Sequence, residues 1–440
     1  MRARSVPVQA AVALLAVVLA ACGPTASQSA APGSPVASGS PGSSPSEGAP
    51  ASPSGEPIVI GSSLAITGAF APTGAIHKIA GDQFVERLNG EGGLLGRPVE
   101  WLVLDDESDQ ANVAALYERL ISQEQVDLIM GPYATPLILS AMGVAERAGY
   151  VLPHHTSVLA PLMTYECQFP GWSIGPTPNE FVPNQLYDAL ASLDDPPASI
   201  AIVTNQSGST DFIAHGRADV EEPGAVSIAQ ERGLEVAADI PYPPGTTDWA
   251  SIAAQVRDAD ADVVMVNGLG VESVGLIQAL EQLDYRPPLM FSLFPAPGPL
   301  LGLGEPAEGH LSVSMFEPNE SILEQLDPEV TEIVEEFQGR AEGEGLPYTA
   351  FETQAAGSWT AWEILVAGVE GAGSVDDQQA ICDHLHANGA TTTFHGQLTF
   401  DPAENNFWPT TQGIKQIQDG EWVMVWPEDR AAAPLRGPQG

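Results

Sequence analysis

From Pro57 onward the chain alternates short, continuous apolar runs with longer stretches in which apolar residues recur every three or four positions. Ile58-Val59-Ile60-Gly61 is the first run and suits a buried parallel strand. A loop rich in Gly, Thr and Pro spans 67–74, and Ala80, Phe84 and Leu88 then share one helical face. Residues 99–104 read as a second strand. Asp109 stands as an N-cap before Val113, Leu116, Tyr117, Leu120 and Ile121, spaced i, i+3, i+4, i+7, i+8. A strand over 126–130, a helix over 136–148 and a strand over 150–152 complete the first series. The second series has strands at 200–203, 236–240, 263–266 and 289–293. Asp248 caps a helix carrying Trp249, Ile252, Ala253 and Val256, and a helix over 271–283 joins the last two strands. This alternation implies parallel sheets covered by helices on both faces, and two series imply two doubly wound α/β lobes. Ligands of such sheets bind beyond the carboxyl ends of the strands, so the residues just after each strand are the informative ones.

The segment before Pro57 follows different rules. Arg2 and Arg4 precede an apolar run of twelve residues, 10–21, which is short of the ~20 helical residues that span a bilayer. A basic start, a short apolar centre and small residues before a break make a secretory signal over residues 1–21. The break, Leu19-Ala20-Ala21-Cys22, resembles the bacterial lipobox, in which the signal is cut before the cysteine and the thiol carries a diacylglycerol. Two or more acyl chains anchor stably where one would not. Residues 23–57 hold 10 Ser, 8 Pro, 6 Gly and 6 Ala, with Val36 as the one branched aliphatic residue. Such a segment buries too little apolar surface to offset its ordering entropy, so 22–57 is expected to be a lipidated, disordered leash spanning roughly 30 Å as a coil. The expected location is the outer face of the cell membrane.

Charge narrows the partners. Fifteen Lys and Arg stand against 57 Asp and Glu, a formal charge of −42, and removing the leader with Arg2 and Arg4 makes it more negative. Phosphate binding needs clustered basic residues, so nucleic acid is excluded as a partner. The acidity reads as a solvated surface facing the outside medium. Cys167 and Cys382 remain once Cys22 is lipidated, and in an oxidising exterior they form either a disulfide or two separate buried thiols. No Gly-x-Ser-x-Gly elbow, His-Glu-x-x-His helix or Walker loop is present, and Asp105, Asp106, Glu107 and Asp109 lack EF-hand spacing. A binding protein rather than an enzyme is expected, with no cofactor and no metal. His154 and His155 point to opposite sides of an extended segment, and no third metal ligand lies nearby in sequence.

Several segments, in order, resemble the solute-binding proteins of branched-chain amino-acid ABC transporters. They are Ile58-Val59-Ile60-Gly61 with Thr67-Gly68-Ala69 and Gly74, and the turn Asn89-Gly90-Glu91-Gly92-Gly93-Leu94-Leu95-Gly96-Arg97-Pro98. Asp105-Asp106, Gly131-Pro132-Tyr133-Ala134-Thr135, and Asp248-Trp249 with Ala261-Asp262-Val263-Val264 follow. Trp362, Gly371-Ala372-Gly373-Ser374, Gly396-Gln397-Leu398-Thr399-Phe400-Asp401 and Gln416-Ile417-Gln418-Asp419-Gly420 match the closing third. The resemblance implies a type I periplasmic-binding-protein fold whose two lobes are joined by three crossovers. Carried over by position, lobe one is 58–177 plus 316–400, lobe two is 178–315 plus 401–430, and 431–440 is a flexible tail. Cys167 and Cys382 then share a lobe, which favours the disulfide. A monomer that closes on a small polar ligand (an amino acid or a related compound) and delivers it to a permease is implied. The alternatives are a sensory receptor of the same fold, or a binder of an amide, urea or aromatic acid.

The resemblance also implies a cleft. Thr135, at the turn before the helix that starts at Pro136, holds a ligand carboxylate together with backbone N–H groups. Tyr133 lies in the same turn. Thr156 and Ser157 follow the fourth strand, and Thr73 falls where some relatives present an aromatic side chain. From lobe two come Ser207, Gly268, Leu269 and Phe294. Gly268 and Gly270 resemble part of a dinucleotide fingerprint, but Ser273 replaces its third glycine. Amino-acid binders of this family place an acidic side chain after the last strand of lobe two to meet the ammonium. Here that stretch is Phe291-Ser292-Leu293-Phe294-Pro295-Ala296-Pro297, without an acid. Glu272 is nearby in sequence, where a solvated helix N-terminus also explains it. With Phe294, Tyr133 and Trp172, this composition suits a neutral or partly apolar ligand.

Overall fold

A computed structural model describes residues 52–155, 157–218, 221–409 and 412–438. The leader, Cys22 and the leash as far as Ala51 lie outside the described residues. Residues 54–57 are already tied to the body: Ser54 N–H bonds Gly96 C=O, and the Arg97 guanidinium bonds the carbonyls of Glu56 and Pro57.

In the first sheet β1 (Ile58–Leu64) lies between β2 (Val99–Asp105) and β3 (Leu128–Ile129), all parallel. β4 (Leu152–His154) pairs with β5 (Gln168–Pro170), and Gly131 N–H bonds Pro153 C=O to join this ribbon to the end of β3. The strand expected at 150–152 is therefore displaced toward His154. Its pairing partner sets the register, because Leu152 N–H bonds the Cys167 carbonyl.

The second sheet takes in β6 (Ser199–Asn205), β7 (Glu235–Tyr242), β8 (Val263–Gly270), β9 (Leu289–Pro295) and β10 (Leu311–Ser314). A small hairpin, β11 (Ala390–Thr392) and β12 (Gly396–Leu398), precedes β13 (Gly413–Gln418) and β14 (Glu421–Trp426). The sheet order is β7-β6-β8-β9-β10-β13-β14; the first five strands are parallel and the last two antiparallel. Val263, Val264, Met265 and Val266 are all fully buried, as a strand covered on both faces requires. The Asp248 carboxylate accepts Ala250 N–H at the start of the helix Ala250–Ala259, so the expected cap acts from two residues before the helix, with Trp249 at the N-cap position itself.

β13 runs Gly-Ile-Lys-Gln-Ile-Gln and is buried throughout. Its polar side chains hold the residues expected to form a flexible tail. Gln416 Nε2 donates to the Arg436 carbonyl, Gln418 Nε2 donates to that of Pro434, and Arg436 pairs with Asp419. Residues 431–438 are thus packed along the sheet edge, because buried amides on β13 take their hydrogen bonds from that segment.

Cys167, just before β5, is bonded to Cys382 in the helix Gln378–Asn388, closing a sequence separation of 215 residues. A loop of that length restricts the unfolded chain strongly. Replacing both cysteines by serine is expected to lower stability by about 3–5 kcal/mol, measured by urea unfolding against the wild type with and without reductant.

Candidate ligand cleft

The turn Gly131-Pro132-Tyr133-Ala134 follows β3 and feeds the helix Thr135–Ala148. Ala134 has φ 76° and ψ 138°, a conformation that favours glycine and holds about 1–3 kcal/mol of strain when a side chain occupies it. Thr135 is the first helical residue, not the cap. Its hydroxyl accepts the Val158 N–H at 3.1 Å, which fastens the helix start to the loop after β4. No side chain caps this helix, so its N-terminal amides and dipole favour an anion.

A row of rings runs from this turn to the second sheet. Tyr133 packs on His77 at 5.0 Å and on His155 at 5.8 Å, and the two imidazoles meet at 4.6 Å. His155 is edge-on to Trp172 at 5.6 Å, and Trp172 is edge-on to Phe294 of β9 at 5.6 Å. Tyr133, Thr135, His155, Trp172 and Phe294 line a small pocket with Ala134, Val158 and Gln354. Leu269, at the end of β8, and Ser209 complete it, and it contains about 370 Å³ of empty space including its opening to solvent. Its enclosed room is only about 30 Å³, space for a water or two, so a ring-sized solute enters only if the walls part.

No residue of this lining is Asp, Glu, Lys or Arg. Burial pushes the His77 pKa down to about 3 and that of His154 to about 4. Burial, with His77 and His154 alongside, holds His155 well below the usual imidazole range. Burial raises the Tyr133 phenol, and the nearby Glu352 charge adds to this. Glu272 is held outside the lining, where its carboxylate accepts from Asn205 Nδ2, the Tyr242 hydroxyl and Leu269 N–H at 2.5, 2.8 and 2.9 Å. Among the described residues no three His, Cys, Asp or Glu side chains are grouped to hold a metal ion.

The depressed histidines set a pH dependence. His77, His154, His155 and His310 bind a proton near pH 6.5 when unfolded but only far below it when folded. Their stabilising contribution is complete above pH 6.5 and is lost as the pH falls below it. Glu317 and Glu363, both raised to about 7 by burial, act in the opposite sense between about 4.5 and 7. His395, held down to about 3 by burial, joins the four histidines. These five large downward shifts outweigh the two glutamates with the smaller upward shifts of Asp106, Glu272 and His215. The melting temperature is therefore expected to fall by several degrees from pH 7 to pH 5. Scanning calorimetry at both values checks this; an unchanged or higher melting temperature at pH 5 contradicts it.

A sequence profile of the periplasmic binding proteins matches residues 57–414. The chain belongs to the periplasmic binding protein family. It is similar to Leu/Ile/Val-binding protein homolog 7 of Brucella abortus, 25% identical over 368 residues that cover 81% of this chain and 88% of that protein. Its fold is similar to that of a leucine-binding protein from Thermotoga maritima, with TM-score 0.68 and 20% identity over 84% of this chain and 99% of the other. A solute-binding protein of an ABC transporter from Rhodopseudomonas palustris, solved with benzoate, has TM-score 0.68 and 16% identity over 87% of this chain and 98% of its own. The fold is the α/β type with parallel-sheet lobes. Among the described residues no helix is long and apolar enough to cross a membrane.

In this periplasmic binding protein the structure brings Tyr133, Thr135, Leu269 and Phe294 together around one pocket. Other residues singled out from the sequence stand apart from that lining. Thr73 is buried behind Tyr133 with its hydroxyl near the phenol. Ser157 is buried, and its hydroxyl accepts Leu159 N–H at 3.3 Å. Ser207 precedes the helix Gly208–His215 and bonds the Thr210 hydroxyl at 2.6 Å. Gly268 is buried where a Cβ would stand 2.7 Å from both Glu272 Oε2 and the Tyr242 hydroxyl. Thr156 lies outside the described residues. Of the lining, the sequence reading did not reach Gln354, nor His77 beside it. His77 carried a usable signal, because it continues the stripe of Ala80 and Phe84 one turn upstream, where a buried polar side chain needs a reason. Gln354 carried none.

Proposed function

We propose that this protein captures a small solute with an apolar or aromatic body and no ammonium group, an aromatic carboxylate being the best chemical match. The observation that carries this is the lining itself: four rings, from Tyr133, His155, Trp172 and Phe294, and no carboxylate. A buried ammonium without a counter-charge is costly, and the acids near the lining are already engaged, Glu272 by its own lobe and Glu352 by Lys415. The uncapped start of the helix at Thr135 supplies what a carboxylate needs. The benzoate held by the structurally similar R. palustris protein supports the same class.

In this reading lobe one (58–177 plus 316–400) and lobe two (178–315 plus 401–430), joined by three crossovers, close on the solute by hinge motion. The closed form is recognised by the permease of an ABC importer. Cys22 carries the lipid, and the leash to Pro57 keeps the body near that permease outside the membrane. A thermal-shift panel of benzoate, benzamide, urea and leucine tests the ligand class, because a ligand that binds the native state raises its melting temperature. Benzoate is expected to raise it and leucine to leave it unchanged. A shift with leucine alone, or with none of the four, overturns the proposal.

A further inference from the structure

The inner wall of the cleft holds polar atoms that the protein itself leaves unpaired. Both ring nitrogens of His155, Nε2 of His77, Oε1 of Gln354 and Nε1 of Trp172 are buried with no partner at hydrogen-bond geometry, although the Gln354 side chain lies near His77 and the Thr353 backbone near His155. His155, Gln354 and Trp172 line the pocket, and their side chains belong to residues only 4%, 6% and 1% exposed. His155 also borders a second small cavity behind the pocket, which His77 lines. Each such orphan is destabilising, and native proteins seldom accumulate several in one place unless a bound partner meets them. The rest of the wall is built around the imidazole. Gly357, on the helix Thr353–Ala372, leaves room for it: a Cβ there would stand 2.7 Å from His155 Nε2.

The chemistry of the set is specific. A neutral imidazole offers one donor and one acceptor, the Gln354 oxygen accepts, and the Trp172 N–H donates. A carboxylate only accepts and an ammonium only donates, so neither satisfies the set. A hydroxyl or a carboxamide does both. Burial keeps His155 uncharged at neutral pH, so the wall offers no cation to a second carboxylate.

We infer that His155, Gln354 and Trp172 form a subsite for an uncharged donor–acceptor group, a hydroxyl or carboxamide, carried on the ring of the solute. This deepens the aromatic-acid reading and rests on it. The carboxylate goes to the helix start at Thr135, and the uncharged group goes to the inner wall.

The test is a set of calorimetric titrations of benzoate, of 2-, 3- and 4-hydroxybenzoate and of 4-carbamoylbenzoate into the full chain. At least one substituted ring is expected to bind about tenfold or more tighter than benzoate, because a site built to hydrogen-bond a group rejects the analogue that lacks it. His155→Phe, which keeps a ring and removes both nitrogens, is expected to reduce that preference to within about threefold, read as the ratio of the substituted acid's affinity to that of benzoate in the same variant. Gln354→Met is expected to weaken the same preference, and it serves if the His155 variant does not fold. Benzoate binding as tightly as every substituted acid, or a preference that survives both substitutions, overturns the subsite alone. No binding of any of the five overturns the aromatic-acid reading and the subsite with it.

Discussion

Lys415→Met is expected to lower the folding free energy at pH 7.5 by about 3–5 kcal/mol, the range for breaking a buried ion pair from one side. Lys415 lies on β13 with its Nζ 2.7 Å from Glu317 Oε1 and 3.3 Å from Glu352 Oε2. The three side chains are 4%, 1% and 2% exposed, so water screens them little. The ammonium also sits over the Trp422 ring at 4.6 Å. Glu317 follows β10, and its carboxylate accepts the Ser314 hydroxyl; Glu352 caps the helix Thr353–Ala372, whose second residue is Gln354 of the pocket. The Thr353 hydroxyl accepts the N–H groups of Met315 and Phe316. One ion cluster therefore fastens the segment leaving the second sheet to the helix that builds the cleft wall.

The cluster holds one more carboxylate than it has cations. Burial and the neighbouring Glu352 push Glu317 up to about 7, with Lys415 working the other way. Removing the ammonium raises the Glu317 carboxyl further, so the folded variant takes up a proton that the unfolded chain would release. Its deficit relative to wild type is therefore expected to shrink as the pH falls from 7.5 toward 5. Urea unfolding at the two pH values measures this. Equal stability of variant and wild type at pH 7.5, or a deficit that widens on acidification, contradicts the account.

Phe294→Ala is expected to weaken benzoate binding by about 2–3 kcal/mol, on the order of 30- to 150-fold, the effect of removing a central aromatic anchor. Phe294 is the ring that the second sheet contributes to the row, and its edge-on contact with Trp172 links the two sides of the pocket. Ser207→Ala is the matched control. Its hydroxyl is engaged by Thr210 and lies outside the lining, so binding is expected to change by less than about threefold. Titration calorimetry on both variants decides between a specific anchor and general weakening of the fold. Equal losses in the two variants count against Phe294 as an anchor.

The strands that were legible in the sequence are those whose burial is purely apolar, such as β1, β6, β8 and β9. β13 was not legible as a buried strand, because Lys415, Gln416 and Gln418 are buried by virtue of partners 63 to 107 residues away or on the closing segment. Hydropathy reads those residues as surface. Within the site, Tyr133, Thr135, Leu269 and Phe294 could be chosen because each directly follows a parallel strand or stands near its carboxyl end. His155, directly after β4, is open to the same choice, whereas Gln354 is not. Gln354 meets His155 in the pocket only because the helix Thr353–Ala372 packs against the segment after β4, close enough that a Cβ on Gly357 would stand 2.7 Å from His155 Nε2. The missing acid after β9 was visible from the start, and the bound state of Glu272 gives it weight.

The central claim is that the cleft takes a solute without an ammonium group. Its most direct test is paired calorimetric titration of benzoate and of leucine into protein refolded free of bound solute. The account predicts saturable one-to-one binding of benzoate and no heat from leucine. Saturable binding of leucine with none of benzoate would contradict it.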